Sequence, residues 1–145
     1  MVRELADEVD WVFMALAPSA IKPFIAEYHP GLPFNNYPQA MANMRLDLAL
    51  APLELCRFNE CKSNLKLLEY GVLAYPVIAT DILPYQCGLP VTLIKNTPKQ
   101  WIQTIREHLA DRAHLAHRGR ALQAAVLKDW MLDKHASEWL SAWTL

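Results

Sequence analysis

The sequence predicts an α/β protein in which strands alternate with helices and form a parallel sheet. Three observations support this. Short apolar runs rich in β-branched residues stand between longer stretches with helical periodicity. The chain has 145 residues, a length typical of one domain. Hydrophobic residues make up 53% and charged residues 20%, which is enough apolar material for a packed core. We therefore expect a single domain over residues 1–145.

Five apolar runs predict the strands. The first, residues 9–16, is β-branched and aromatic and ends before Pro18, as is typical of a buried strand. The segment 18–38 holds five prolines and is predicted to be mostly loop, with a short strand at 24–28. The remaining strands are expected at residues 46–53, 76–80 and 91–95.

Helical patterns fill most of the intervening chain. Residues 37–44 predict a short helix, and a second helix is expected to begin at Lys62 or Ser63 and to end at Ala74. Thr97 suits an N-cap and Pro98 the first position of a helix that continues to about residue 110. Residues 112–145 have a helical pattern almost throughout.

The composition disfavours several classes of function. The net charge is −1, so no broad basic surface is expected, and a dedicated nucleic-acid binder is disfavoured. The N-terminus is acidic and lacks the apolar segment of a signal peptide. No apolar run approaches the ~20 residues that span a bilayer. We expect a cytoplasmic protein without a transmembrane segment. A position at the inner face of the membrane is compatible with this expectation.

The cysteines predict free thiols in a reducing compartment. There are three, Cys56, Cys61 and Cys87, an odd number with no secretory signal. Cys56 and Cys61 could meet His29 in space and bind a metal ion. Ordinary packing of small apolar side chains is the favoured alternative, so no metal and no cofactor are predicted.

A charged stripe in the second predicted helix is the main candidate binding site. Lys62, Lys66 and Glu69 are spaced i, i+4, i+7 and would share one face. Ser63 could cap the helix, whose N-terminus together with Lys62 favours a pyrophosphate. A ribose hydroxyl would then lie near Glu69. On spacing alone, the favoured alternative is a solvated stripe with a Lys66–Glu69 pair that contributes a few tenths of a kcal/mol.

Two loops that follow predicted strands supply further candidates. The loop after the strand at 46–53 holds Glu54, Arg57 and Asn59. The loop after the strand at 76–80 holds Asp81, Pro84 and Tyr85. Ligand-binding residues often lie in such loops. Polar residues are also common in any loop, so a simple solvated loop is an equal alternative.

Taken together, residues 46–85 resemble a known pattern. The matching positions are Asp47, Leu50-Ala51-Pro52-Leu53-Glu54, Phe58-Asn59, Lys62-Ser63, Lys66, Leu68-Glu69-Tyr70, Pro76 to Asp81, and Pro84-Tyr85. This segment is similar to the C-terminal, donor-binding domain of GT-B glycosyltransferases, in particular bacterial members that build surface polysaccharide. The combined match over about forty residues is specific, whereas each piece alone is weak.

The resemblance implies a fold and a function. The fold would be a Rossmann-like three-layer sandwich with a parallel sheet, half of a GT-B architecture, followed by C-terminal helices. The domain would hold a nucleotide-sugar donor for transfer of the sugar to a glycan or lipid-linked acceptor. Glu69 would contact the ribose, and Lys62 together with Lys66 would face the diphosphate. The full donor-binding set is expected to be Glu54, Asn59, Lys62, Ser63, Lys66 and Glu69, with no catalytic residue identified.

The chain departs from the family pattern at three places. Cys61 stands where the wider retaining group has an acidic residue, eight positions before Glu69, and Ala74 stands where a glycine usually precedes the strand. The Gly-rich strand and loop that usually open the domain are missing before Arg3. A 145-residue domain cannot supply both lobes, so we expect the N-terminal acceptor domain to be absent and the isolated lobe to be inactive.

Two alternative functions and one partner remain open. The chain could be a non-catalytic binding or scaffolding domain with a degenerate glycosyltransferase fold. A response-regulator receiver domain is disfavoured because residues 15–18, after the first strand, hold no acidic cluster. Finally, Trp130, Trp139, Leu140 and Trp143 load the C-terminal helices with apolar surface and predict a homodimer through residues 130–145. The alternative is that these side chains fold back onto their own sheet.

Overall fold

The structure is a computed structural model that describes residues 1–144. The chain divides into two compact units, Met1–Arg45 and Leu46–Leu145. Both units contain parallel strands and helices, so the predicted α/β class is confirmed. The interpretation of residues 1–145 as one domain stays a prediction. The predicted parallel pairing is present, but the strands form two small sheets instead of one.

The first unit holds a two-stranded parallel sheet and a short helix. Strand β1 (Trp11–Met14) pairs with β2 (Ile25–His29), and helix α1 spans Tyr37–Asn43. The strand predicted at 9–16 is therefore shorter than expected. Ala15 has a φ of 67°, in the left-handed region, which ends the extended backbone after Met14. Leu16, predicted to be buried, is 90% exposed.

The second unit contains all of the predicted site residues. Its elements are β3 (Ala49–Ala51), α2 (Arg57–Glu60), α3 (Leu65–Val72), β4 (Val77–Thr80), β5 (Thr92–Ile94), α4 (Pro98–Leu109), α5 (Arg112–Asp129) and α6 (Ala136–Trp143). The strands are parallel in the order β3-β4-β5. All four residues of the central strand β4 are buried, as expected for a parallel strand covered on both faces. This arrangement is compatible with a Rossmann-like fold.

Helix α5 packs against α3 through two glycines. Its buried residues are Leu115, Gly119, Leu122 and Val126, which lie on one face of the helix. A Cβ atom at Gly119 would lie 2.0 Å from the carbonyl oxygen of Ala74, and one at Gly71 in α3 would lie 2.7 Å from Cγ2 of Val126. The absence of side chains at both positions lets the two helices and the start of β4 approach closely.

Ala74 adopts a glycine-like conformation. Its φ is 58°, in the left-handed region, at the end of α3 just before β4. This is the position where the family pattern usually has glycine. Non-glycine residues pay roughly 1–2 kcal/mol for this conformation, so the alanine retains the turn at some cost in stability.

The C-terminal helices are shorter than the sequence indicated. Thr97 caps α4 as predicted, since its side chain accepts a hydrogen bond from the Gln100 N–H at 3.3 Å, and Pro98 begins the helix. The nearly continuous helix expected over 112–145 is interrupted instead. Helix α5 ends at Asp129, a 3₁₀ turn follows at Leu132–His135, and α6 ends at Trp143. Leu145 lies outside the described residues.

Candidate functional site

An open cleft lies where β3 ends and α3 begins. Its volume is about 440 Å³. The lining residues are Leu50, Ala51, Pro52, Leu53, Lys62, Ser63, Leu65, Lys66, Tyr70 and Tyr85. Parallel α/β sheets bind their ligands at the carboxyl edge of the strands, and this cleft lies at that edge. It brings together three of the predicted donor-binding residues: Lys62, Ser63 and Lys66.

The helix that borders the cleft begins later than predicted. Its N-cap is Asn64 and its first residue is Leu65, so Lys62 and Ser63 belong to the preceding loop. The predicted face shared by Lys62, Lys66 and Glu69 is therefore wrong for Lys62. Ser63 is not the N-cap either, although its Oγ accepts a hydrogen bond of 3.4 Å from the Leu65 N–H. Both Ser63 and Lys62 nevertheless remain beside the helix start.

The buried side of this helix is formed by Leu67 and Gly71, whereas Leu65 and Val72 are exposed. Leu65 contributes to the cleft wall. The buried side is the one on which Gly71 packs closely against Val126 and Leu122 of α5.

Two of the residues that line the cleft, Lys62 and Lys66, carry ammonium groups. The Nζ atom of Lys62 lies 5.0 Å from the ring centre of Phe58. The Nζ atom of Lys66 lies 5.8 Å from the ring centre of Tyr70 and 2.9 Å from Oε2 of Glu69. The aromatic rings attract the cations and restrict where they lie. With the positive end of the α3 dipole, these two lysines make the cleft suited to an anion.

Glu69 lies beside the cleft, bound to Lys66. Its carboxylate forms an ion pair with Lys66, which lies three residues earlier in the helix. Glu69 does not contribute to the cleft wall. The ion pair is the one expected for a solvated charged stripe. Glu69 is therefore connected to the cleft indirectly, through its ion pair with the cleft-lining residue Lys66.

Glu54 and Asn59 shape the loop next to the cleft but do not line it. Asn59 is buried, and its Nδ2 donates a hydrogen bond of 2.9 Å to the backbone carbonyl of Glu54. This contact closes the loop between β3 and α2. The Glu54 side chain is exposed. The described contacts thus give Asn59 a structural role, whereas its predicted contact with a donor stays a prediction.

Side chains from β4, from the loop after β5 and from α4 hold the β3 loop in place. The backbone N–H of Leu53 donates to Oγ1 of the fully buried Thr80, at 2.9 Å. The Leu53 carbonyl accepts from Nδ2 of Asn96 at 3.0 Å, and the indole N–H of Trp101 donates to Oδ1 of Asn96 at 2.8 Å. Sequence reasoning missed this network. The polar Thr80 within an apolar strand was the available signal.

Tyr85 forms part of the cleft from the loop after β4. It ends the 3₁₀ turn Leu83–Tyr85 and is buried. Burial, and then the nearby Tyr70 hydroxyl, raise the pKa of Tyr85 above its usual value of 10.0, and the charge of Lys66 partly opposes this. Its phenol is therefore protonated at neutral pH. Asp81, from the same loop, instead accepts a hydrogen bond from Nε2 of Gln86 at 2.7 Å.

The structure also bears on metal and membrane binding. Within residues 1–144, no group of three or more His, Cys, Asp or Glu side chains is arranged to hold a metal ion. Cys56, Cys61 and Cys87 are free thiols. None of the described helices is both long and apolar enough to cross a membrane.

Comparisons of the chain with family models, with curated proteins and with solved structures give no match. The chemistry that the site can perform is therefore inferred from its own geometry. Two lysines, a helix N-terminus and tyrosine side chains at the edge of a parallel sheet can bind a negatively charged, oxygen-rich ligand. Nothing in the described site supplies a paired base and nucleophile.

Proposed function

We propose that this chain is the nucleotide-sugar-binding lobe of a glycosyltransferase. The observation that carries the proposal is the cleft of about 440 Å³ at the carboxyl edge of β3, with Lys62 and Lys66 beside the start of α3. Pockets of this size hold small organic ligands, and the position in the sheet is the usual one for nucleotides. The resemblance of residues 46–85 to donor-binding domains supports the same ligand class.

Each site residue has a role in this proposal. The diphosphate of the donor lies between the Lys62 and Lys66 ammonium groups, which neutralise its charge together with the α3 N-terminus. Ser63 contributes a hydroxyl at the same end of the cleft. Glu69 exchanges part of its contact with Lys66 for a ribose hydroxyl. Because two lysines supply the positive charge, the departing diphosphate does not depend on a metal ion.

The complete enzyme needs a second lobe. In the proposed architecture, this chain is half of a GT-B enzyme with a Rossmann-like three-layer sandwich, and a separate N-terminal domain holds the glycan or lipid-linked acceptor. Surface-polysaccharide synthesis in the cytoplasm, at the inner face of the membrane when the acceptor is lipid-linked, fits this role. The lobe alone binds the donor and does not catalyse transfer.

A degenerate, non-catalytic binding or scaffolding domain is the second candidate. The ion pair between Lys66 and Glu69, with 2.9 Å between Nζ and Oε2, favours it because both charges are satisfied without a ligand. Cys61, at the position where the wider family has an acidic residue, favours it as well. A degenerate lobe would retain the fold and lose saturable nucleotide binding.

A thermal-shift assay with a panel of nucleoside diphosphates separates the two candidates. A ligand at a hundred times its Kd stabilises the folded state by about 2.7 kcal/mol, which raises Tm by several degrees in a protein of this size. We expect UDP or GDP to produce such a shift, and the matching nucleoside to produce a smaller one. A Tm that does not change with any diphosphate would support the degenerate domain.

A further inference from the structure

Among the described residues, the hydroxyl of Tyr85 has no hydrogen-bond partner. The residue is 3% exposed, and its ring lines the cleft. Across residues 1–144, no side chain or backbone group makes a hydrogen bond with this hydroxyl. The hydroxyl oxygen is not completely enclosed by protein, so it belongs to the small part of Tyr85 that is exposed. Tyr85 thus lines the cleft with a hydroxyl that keeps a small accessible area.

A buried tyrosine in this state is unusual. Buried tyrosine hydroxyls usually find a hydrogen-bond partner, because leaving one unpaired costs part of its hydration energy. The backbone of Tyr85 is well fixed, since its N–H donates to the Ile82 carbonyl at 2.9 Å. The backbone is thus held in position while the hydroxyl of this cleft-lining side chain remains available to a ligand.

The charged surroundings indicate which ligand atom this hydroxyl meets. Lys66 is close enough to affect the ionisation of Tyr85, and both residues line the same cleft. An anionic group attracted by the Lys66 ammonium therefore lies near the Tyr85 hydroxyl. Phosphate oxygens only accept hydrogen bonds, and hydrogen bonds to charged acceptors are stronger than those to neutral ones.

We infer that the Tyr85 hydroxyl donates a hydrogen bond to a diphosphate oxygen of the bound nucleotide. This inference rests on the proposed function and adds a residue to the site that the charged stripe does not contain. Tyr85 comes from the loop after β4, whereas Lys62 and Lys66 come from the loop and helix after β3. The diphosphate is then held by residues that follow two neighbouring strands of the sheet. These contacts fix its orientation, and the lysines neutralise its charge.

Calorimetric titration of Tyr85→Phe with whichever of UDP and GDP binds the wild type tests this inference. Loss of a hydrogen bond to a charged group predicts a Kd about ten- to a hundredfold higher. Without ligand, the Tm of the variant should equal or exceed that of the wild type, because no protein contact is removed. Tyr75→Phe is the matched control: Tyr75 is buried in the same unit but does not line the cleft, so its Kd should not change.

Each other outcome overturns a defined step. A wild type that binds neither diphosphate overturns the proposed function, and this inference with it. A wild type that binds while Tyr85→Phe binds equally well overturns the inference alone. So does a clear loss of Tm in unliganded Tyr85→Phe, which would make the hydroxyl structural. Equal losses for the nucleoside and the diphosphate would also contradict the assignment. If the nucleoside binds neither the wild type nor Tyr85→Phe, the diphosphate provides the binding energy. A weaker affinity of Tyr85→Phe for the nucleoside diphosphate then supports the inference.

Discussion

The Nζ atom of Lys66 lies 2.9 Å from Oε2 of Glu69, one turn along helix α3. Lys66 lines the cleft and Glu69 does not, so this ion pair connects the charge inside the site to a carboxylate outside it. A ligand that attracts Lys66 must share it with Glu69 or release the carboxylate. In the proposed ribose contact, Glu69 keeps part of its contact with Lys66 and gives up the rest for a ribose hydroxyl.

Glu69→Ala should weaken nucleotide binding by about 1–3 kcal/mol, the scale for loss of a hydrogen bond that involves a charged group. Folding should change little, because ion pairs exposed to solvent contribute only about 0.2–1 kcal/mol. Glu107→Ala is the control, since the exposed Glu107 makes a local contact with Gln103 within α4 and does not line the cleft. Calorimetry on the three proteins gives the affinities. Equal affinity of the wild type and Glu69→Ala would remove the ribose role.

Gly119→Ala should destabilise the protein by at least about 2 kcal/mol, since overpacking against backbone cannot be relieved by a side-chain rotation. The new Cβ would lie 2.0 Å from the Ala74 carbonyl oxygen, so α5 must move away from the start of β4. Chemical denaturation measures the loss.

Gly31→Ala is the control for this substitution. The nearest atom to its added Cβ is Cβ of Ala15, at 3.9 Å, which is an ordinary contact. Its stability should stay within about 0.5 kcal/mol of the wild type. If Gly119→Ala proves as stable as Gly31→Ala, the close packing of α5 on the β4 entrance is not a feature of the folded protein.

A hydrogen-bonded chain links α5, β5 and α4 around one histidine. Nη1 of Arg118 donates to Oγ1 of Thr92 at 3.0 Å, and this oxygen lies 2.9 Å from Nε2 of His108. Nδ1 of His108 lies 2.8 Å from the Thr104 carbonyl, so Nδ1 carries the proton and Nε2 accepts from Thr92. The chain is complete when His108 is neutral.

This network predicts a stability that falls in mild acid. Burial is the main cause that lowers the pKa of His108 below its usual 6.5, and the Arg118 charge adds to it, while the Thr104 carbonyl and Glu107 oppose it. A histidine with a lowered folded pKa contributes stability that is fully present above the unfolded pKa. That contribution is lost as the pH falls below about 6.5 toward the folded pKa.

Denaturation of the wild type and His108→Gln between pH 7.5 and pH 5 measures this effect. The wild type should lose more stability than the variant over that window. The comparison is needed because His135 affects the pH dependence of stability with the opposite sign. Hydrogen bonds to the Asp129 carbonyl and to Glu138 raise the pKa of His135. That contribution is the same in both proteins. Parallel pH profiles would show that His108 is not held neutral by its surroundings.

Five large apolar side chains near the end of the chain, which we call the C-terminal surface, are exposed: Trp130, Leu132, Trp139, Leu140 and Trp143. Trp139 and Trp143 are 60% and 83% exposed, so the alternative that they fold back onto their own sheet is wrong. With on the order of 200 Å² for each tryptophan and somewhat less for each leucine, the exposed parts of these five residues amount to roughly 550 Å² per copy. Two copies would bury about 1,100 Å², at the lower limit for a specific interface.

We therefore expect a weak two-fold homodimer through this surface. Light scattering at high micromolar concentration should show dimers for the wild type and monomers for Trp139→Ser/Trp143→Ser. Leu16→Ser replaces an equally exposed apolar residue outside the surface and should leave the dimer intact. A wild type that remains monomeric at that concentration would contradict the dimer.

Short sequence signals correctly predicted the helices and strands whose ends are set by neighbouring residues, such as an N-cap or a proline. The sequence Thr97-Pro98 marked the start of α4, and the apolar run before Asp81 marked β4. The start of α3 was missed because Ser63 and Asn64 both suit an N-cap, and only packing selects Asn64. The division into two sheets depends on pairings between distant segments, which periodicity does not contain.

The candidate site was predicted in part for the same reason. Lys62, Ser63 and Lys66 are close in sequence, so a correct helix and strand order was enough to bring them to the cleft. Tyr85 was visible as a loop residue, yet its burial and its unpaired hydroxyl depend on how the loop after β4 folds over the β3 edge. Such tertiary information has no local signature in the chain.

The charge of Lys62 gives the most direct test of nucleotide-diphosphate binding. Calorimetric titration should show saturable binding of UDP or GDP to the wild type. Lys62→Ala should weaken it about tenfold or more, because an ammonium contact with a charged group is lost, while binding of the nucleoside should not change. Lys128→Ala, at the far end of α5, should bind like the wild type. Absence of saturable binding in the wild type, or equal losses for nucleoside and diphosphate in Lys62→Ala, would contradict a nucleotide-sugar site in this cleft.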